Sequence, residues 1–224
     1  MKSLSWCAAV YAVLVIGAPS VAHAAPCDLT APRLAMAAAD SSWSALYESG
    51  PRFPDFLAAA KARREGWLRL ADSARVSDAL LARARAVGGS WRFLVVAIDA
   101  CGDSMNSVPY LARLAESVPG LELRIVLPKD GRPVQEAHKS VDGRNATPTI
   151  VLLDAEGRGR GCIVELPRQL RMWAHSVRKS VSSDSLHAGI RAFYAANRGE
   201  AIVTEAVEML EAARANRVLC DRGL

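Results

Sequence analysis

The sequence predicts an α/β fold: a mixed sheet flanked by helices, with helical extensions at both ends. Three observations lead there. Short apolar runs alternate with helical segments between Trp91 and Leu166, the grammar of a strand–helix–strand unit. Two further apolar runs, Thr149–Leu153 and about Gly161–Glu165, flank the sharp turn Asp154-Ala155-Glu156-Gly157, which marks an antiparallel hairpin. The stretches before and after this region show helical periodicity and no strand pattern.

Residues 1–24 read as a secretory leader. Lys2 is their only charge, an apolar region runs from about Leu4 to Ile16, Pro19 breaks it, and Ala22-His23-Ala24 is an A-x-A cleavage site. The apolar run falls short of the ~20 residues of a spanning helix. Pro26 before Cys27 does not suit lipid attachment. The expected location is therefore periplasmic or secreted, with no membrane association after cleavage. Residues 25–90 form the helical N-terminal extension. Arg33–Asp40 is Ala-rich. Pro54 suits a first helical turn, opening a helix from Asp55 to about Ala74. Ser77 and Asp78 start a further helix, which Gly88-Gly89 ends.

The core is expected over 91–166. A buried strand at 93–98 leads through a turn at Cys101 into a helix reaching about Val118, ended by Pro119-Gly120. A strand at Leu121–Leu127 follows, then a short helix near Pro133–Ser140 and the polar loop Asp142-Gly143-Arg144-Asn145 before the hairpin. Residues 167–224 form the helical C-terminal extension, with segments at Pro167 to about Ser180, Ser185–Asn197 and Ala201 to about Arg217. The last carries Ile202, Ala206, Met209, Leu210 and Ala213 at helical spacing and is expected to pack on the sheet.

The formal charge of +5 falls to +4 without Lys2. The basic residues are scattered among Asp and Glu, a solvated surface rather than a nucleic-acid stripe. Loss of Cys7 with the leader leaves Cys27, Cys101, Cys162 and Cys220, which allow three fully paired connectivities. Cys162 reads as a small core residue. Cys27 and Cys220, near the two mature ends, are a candidate staple. Spacings of 74, 61 and 58 match no zinc pattern, so neither a metal nor a cofactor is expected. His138, His175 and His187 read as surface helix residues, and Asn145-Ala146-Thr147 as an incidental glycosylation sequon.

The chemistry gathers at Ala100-Cys101-Gly102-Asp103-Ser104. A strand that ends in cysteine and turns into a helix sets the sulfur at a helix N-terminus, where unpaired N–H groups and the helix dipole favour a thiolate. Ala146-Thr147-Pro148-Thr149 opens the second buried strand, and Pro109 lies eight residues after Cys101. Together these resemble the thioredoxin superfamily over about 91–166. The whole mature chain is similar to a bacterial thioredoxin-like subgroup, through the Cys-Gly-Asp site and Phe193-Tyr194-Ala195-Ala196-Asn197-Arg198-Gly199.

The resemblance implies a thioredoxin-like fold, a nucleophilic Cys101 and a cis Thr147–Pro148 bond forming a platform for an extended substrate. Gly102 and Asp103 would support the site, and Pro109 stands where the active-site helix kinks. Three departures matter. Ser104 replaces the second cysteine, so a mixed disulfide cannot be resolved within the site, although the hydroxyl can hydrogen-bond a thiolate. Ala100 replaces a tryptophan, Val95 replaces a buried acid, and Asp103, the available substitute, is expected to be exposed near the turn. Cys162, the remaining candidate for a resolving thiol, is expected too far away on a neighbouring strand. The implied function is monothiol disulfide exchange on protein or small-molecule thiols and disulfides. The alternative is a non-catalytic thioredoxin-fold binding or scaffold protein. Oligomeric state has no signature in the sequence.

Overall fold

The computed structural model describes residues 43–221. The expected leader, the Arg33–Asp40 helix and Cys27 lie outside the described residues. Among the described residues, no helix is long and apolar enough to cross a membrane.

The mixed α/β architecture is present. Five strands, β1 (Trp91–Val96), β2 (Leu121–Val126), β3 (Thr149–Leu153), β4 (Gly159–Val164) and β5 (Leu219–Asp221), lie in the order β2-β1-β3-β4-β5. β1 and β2 are parallel, joined through the long helix α5 (Gly102–Ser117). β3 runs antiparallel to β1 and to β4, closing the expected hairpin. Alternate side chains along the strands feed two cores. Phe93, Val95, Ile125, Ile150, Leu152 and Ile163 face one side with α5. Leu94, Val96, Val151, Leu153, Cys162 and Val164 face the other with Tyr47 and Val134. Both faces are covered, so the central strands read as continuous apolar runs.

The helices of the first core surround α5. These are α2 (Phe53–Ala59), α3 (Arg64–Ser73), α4 (Asp78–Val87) and α9 (Glu200–Arg214), the last carrying the expected apolar face at Ile202, Ala206, Met209, Leu210 and Ala213. On the second face lie a helical segment over 43–49, termed α1, and the short α6 (Arg132–Ala137). Helices α7 (Arg168–Val177) and α8 (Ser183–Asn197) make a satellite core of Leu166, Leu170, Ala174 and Tyr194. A buried ion pair ties α7 to α9. Arg171 donates to Glu205 at 3.2 Å and to the Leu166 carbonyl at 2.5 Å, while Glu205 accepts the Arg168 amide at 2.6 Å.

Three expectations are corrected. The single helix expected from Asp55 to about Ala74 is two helices, α2 and α3. The Asp99 carboxylate accepts the Lys61 and Ala62 amides at 2.7 and 2.8 Å, and Arg63 takes a left-handed φ of 52°. A carboxylate is a stronger acceptor than a helical carbonyl, so it draws these donors out of a continuous helix. Arg64 then donates to the carbonyl of Ala60 that the break exposes, at 2.9 Å. The C-terminal extension is not wholly helical, because Leu219–Asp221 returns to the sheet as β5, parallel to β4. Cys220 is disulfide-bonded to Cys162, its register partner, with Cα atoms 4.3 Å apart. The Cys27–Cys220 staple is therefore ruled out, and Cys162 is a bridged cysteine rather than a lone core residue.

Candidate functional site

The site forms where β1 ends. Beyond Val96 the chain leaves the sheet and turns, with the Cys101 amide bonded to the Ile98 carbonyl at 3.0 Å. The break between α2 and α3 positions that turn. Asp99 holds the Lys61 and Ala62 amides, Arg63 donates to the Ala100 carbonyl at 2.7 Å, and the buried Trp67 indole donates to the Asp99 carbonyl at 2.9 Å. The bonds from Lys61 and Ala62 hold the Asp99 carboxyl below its ordinary range. The strand-to-helix turn is thus clamped from the N-terminal extension as well as by its own Cys101–Ile98 bond.

Cys101 is the N-cap of α5, in extended backbone, and the Ser104 amide donates to its sulfur at 3.4 Å. Its thiol donates to the Thr147 carbonyl at 3.1 Å, and the Thr147–Pro148 bond is cis. Residues 46 positions apart are thereby brought together: Cys101, Ser104, Thr147 and Pro148 form one cluster. Cys101 is half-buried and is the free cysteine among the described residues. Ser104 is fully buried, and its hydroxyl makes no hydrogen bond; the main-chain amide of this residue is what reaches the sulfur. Pro109 is buried within α5, and Val95 is fully buried in the apolar core with no acid in its place. Ala100 is exposed.

Asp103 corrects an expectation. It is half-buried, not exposed. Burial, then the charge of Glu165, pushes its carboxyl up to about 6, against the opposing effects of Tyr194, His187 and Arg63. The cause is α8, which lays Tyr194 over the first turns of α5. The Tyr194 phenol is buried beside Asp103 and Ser107 without a well-aligned hydrogen bond, and burial raises its titration well above the usual range. Asp103 and Tyr194 line a cleft of about 810 Å³, with Arg63, Arg144, Glu165 and His187 on its walls. Sequence reasoning missed Tyr194, Arg63 and Glu165 as site residues. The Phe193–Gly199 segment was a signal for Tyr194, but its neighbours depend on how α8 docks.

Cys162 cannot serve as a resolving thiol in this oxidised form, because its sulfur is bonded to Cys220. The arrangement holds one free sulfur, on a half-buried residue, with a donor amide and an acceptor carbonyl. Chemically it supports formation of one mixed disulfide, and among the described residues no second free thiol accompanies Cys101.

Comparison with known proteins agrees with this geometry. A family model described as thioredoxin matches residues 50–179. No curated protein matches the chain. Among solved structures, a Pseudomonas aeruginosa protein of unknown function is similar with a TM-score of 0.61 and 20% identity, over 76% of this chain and 98% of that one. An HIV epitope-scaffold protein is similar with a TM-score of 0.59 and 20% identity, over the same shares. At that identity these two likenesses speak for the fold alone. The family match spans more than half of the chain, and with the cis Thr147–Pro148 bond set against Cys101 at the head of α5 it gives the conclusion that this chain belongs to the thioredoxin family.

Proposed function

We propose that this chain performs monothiol disulfide exchange through Cys101, in the periplasm or as a secreted protein. The observation that carries the reading is the seat of the Cys101 sulfur, between the Ser104 amide and the Thr147 carbonyl at 3.4 and 3.1 Å, beside the cis Thr147–Pro148 bond. In the reaction the Cys101 thiolate attacks one sulfur of a substrate disulfide. A new S–S bond forms, the old one breaks, and the second substrate sulfur leaves as a thiolate that takes a proton from solvent. Thr147 and Pro148 serve as the platform for the substrate, and the Ser104 amide stays on the Cys101 sulfur. With serine at 104, the mixed disulfide waits for an external thiol. Partners are therefore protein or small-molecule thiols and disulfides.

Mass spectrometry after exposure of the folded chain to an excess of a small disulfide tests this. One adduct on Cys101, absent in Cys101→Ala, is the expected result. A Cys101 that takes no adduct and resists alkylation in the folded chain would leave the second reading, a non-catalytic binding scaffold. That reading draws on the exposed Ala100 and the buried Val95, which leave the site without an aromatic docking face and without a proton-accepting acid at that position.

A further inference from the structure

The second sulfur-bearing cluster lies across the sheet from Cys101. Cys162 is buried in β4, Cys220 is half-buried in β5, and the half-buried His138 caps the end of α6. His138 Nδ1 is 3.6 Å from the Cys220 sulfur, and the three ligand-type atoms all lie within 4.8 Å of one another. Trp43 packs against the imidazole with ring centroids 5.1 Å apart, which fixes the ring's position. A disulfide alone has no need of an imidazole held against it. Two thiols and an imidazole are, however, the donor set that suits zinc.

The distances fit. Zn–S bonds of ~2.3 Å and Zn–N bonds of ~2.0–2.1 Å at tetrahedral angles place sulfur and nitrogen about 3.6 Å apart, and two sulfurs about 3.8 Å apart. The Cys220–His138 separation is already 3.6 Å. Once the disulfide is opened, the remaining change is parting of the two sulfurs. β5 permits it, being three residues long and paired with β4 alone in the sheet order.

We propose that Cys162, Cys220 and His138 form a redox-gated zinc site. In the oxidised chain the disulfide ties β5 to β4. A dithiol reductant donates two electrons, its own sulfurs become a disulfide, and Cys162 and Cys220 take up two protons as thiols. Zn²⁺ then binds both sulfurs and the neutral imidazole with release of those two protons, leaving a centre without net charge, and water completes the tetrahedron. β5 is thus held to the sheet by a covalent bond in one redox state and by a metal ion in the other. This proposal is independent of Cys101.

Metal titration of the full chain tests it. Reduced with a dithiol, desalted without oxygen and titrated with Co²⁺, the chain is expected to bind one ion with strong thiolate-to-cobalt absorption in the near ultraviolet, and Zn²⁺ is expected to displace it. The unreduced chain is expected to bind none. Cys101→Ser and Cys27→Ser are expected to leave the uptake intact, and Cys220→Ser to abolish it. His138→Ala keeps both cysteines and the disulfide, so it folds by the same route. It is expected to weaken binding by more than the roughly 10–100-fold that outer-shell partners carry. Absence of cobalt uptake by the reduced chain, or uptake unchanged in His138→Ala, or uptake that requires Cys27 or Cys101, would overturn the proposal.

Discussion

Asp103→Asn gives a test of how the C-terminal extension shapes the site. Covered by α8 and faced by Glu165, the Asp103 carboxyl has its titration raised to about 6, against an ordinary carboxyl near 3.9 in the unfolded chain. Between those two values the folded chain binds more protons than the unfolded one. Stability therefore falls as pH rises through this window, and the loss is complete above the folded value. A displacement of about two units at 1.36 kcal/mol each corresponds to roughly 3 kcal/mol, an upper bound for a half-buried group. Asparagine is close in shape and cannot ionise. Asp103→Asn is therefore expected to match the wild type near pH 4 and to exceed it by about 1–3 kcal/mol above pH 7. Urea unfolding of both chains at stepped pH gives the difference directly, and other titrating groups such as Glu205 cancel in it. A difference that stays flat from pH 4 to 8, or a variant less stable at pH 7, would refute the burial of a costly charge beneath Tyr194.

Two further outcomes are expected. Arg171→Leu leaves Glu205 buried without its guanidinium partner, at a cost of about 3–5 kcal/mol; thermal and chemical unfolding should show most of that loss recovered in Arg171→Leu/Glu205→Leu, where no charge is left unpaired. Expression with the leader intact should yield, by mass spectrometry of the exported fraction, a chain that begins at Ala25, whereas recovery of Met1 in the membrane fraction would contradict export with cleavage.

The core of the fold was legible because its signals are local. Thr149–Leu153 is five consecutive buried residues, so it reads as a strand without knowledge of its partners. The Asp78 start and Gly88 end of α4 likewise follow from helix-terminus chemistry, with Gly88 at a φ of 61°. The break between α2 and α3 was not legible. Its cause, Asp99, is 38 residues from the Lys61 amide that it binds, and the one glycine in 55–74, Gly66, lies inside α3 rather than at the break. β5 escaped for a related reason. Three residues carry no period, and what holds them is the register with Cys162, 58 residues away.

At the site, Cys101 was legible from its place after an apolar run, whereas Thr147 and Pro148 were placed by the resemblance to thioredoxins; in the fold the end of β1 pairs with the start of β3, Val96 opposite Thr149. The environment of Asp103 was not legible. Its exposure is decided with Tyr194, 91 positions later in the chain, a separation that no local pattern spans. The hydroxyl of Ser104 shows the same limit. A serine three residues after the cysteine suggests a side-chain bond to sulfur, yet α5 turns the hydroxyl into the buried interior and offers the amide instead.

The central claim is that the Cys101 site forms a mixed disulfide and lacks only a resolving thiol. It is tested most directly by following that adduct over time in the wild type and in Ser104→Cys. Position 104 lies three residues after Cys101 in the first turn of α5, its amide 3.4 Å from the Cys101 sulfur. A thiol there reaches that sulfur by rotation of the side chain away from the buried position of the serine hydroxyl and acts at high effective concentration. The expected result is a wild-type adduct on Cys101 that persists until an external thiol is added. Ser104→Cys should release its adduct unaided and leave a Cys101–104 disulfide on peptide mapping. Adducts of equal lifetime in the two chains, with positions 101 and 104 unlinked and both open to labelling, would contradict the account.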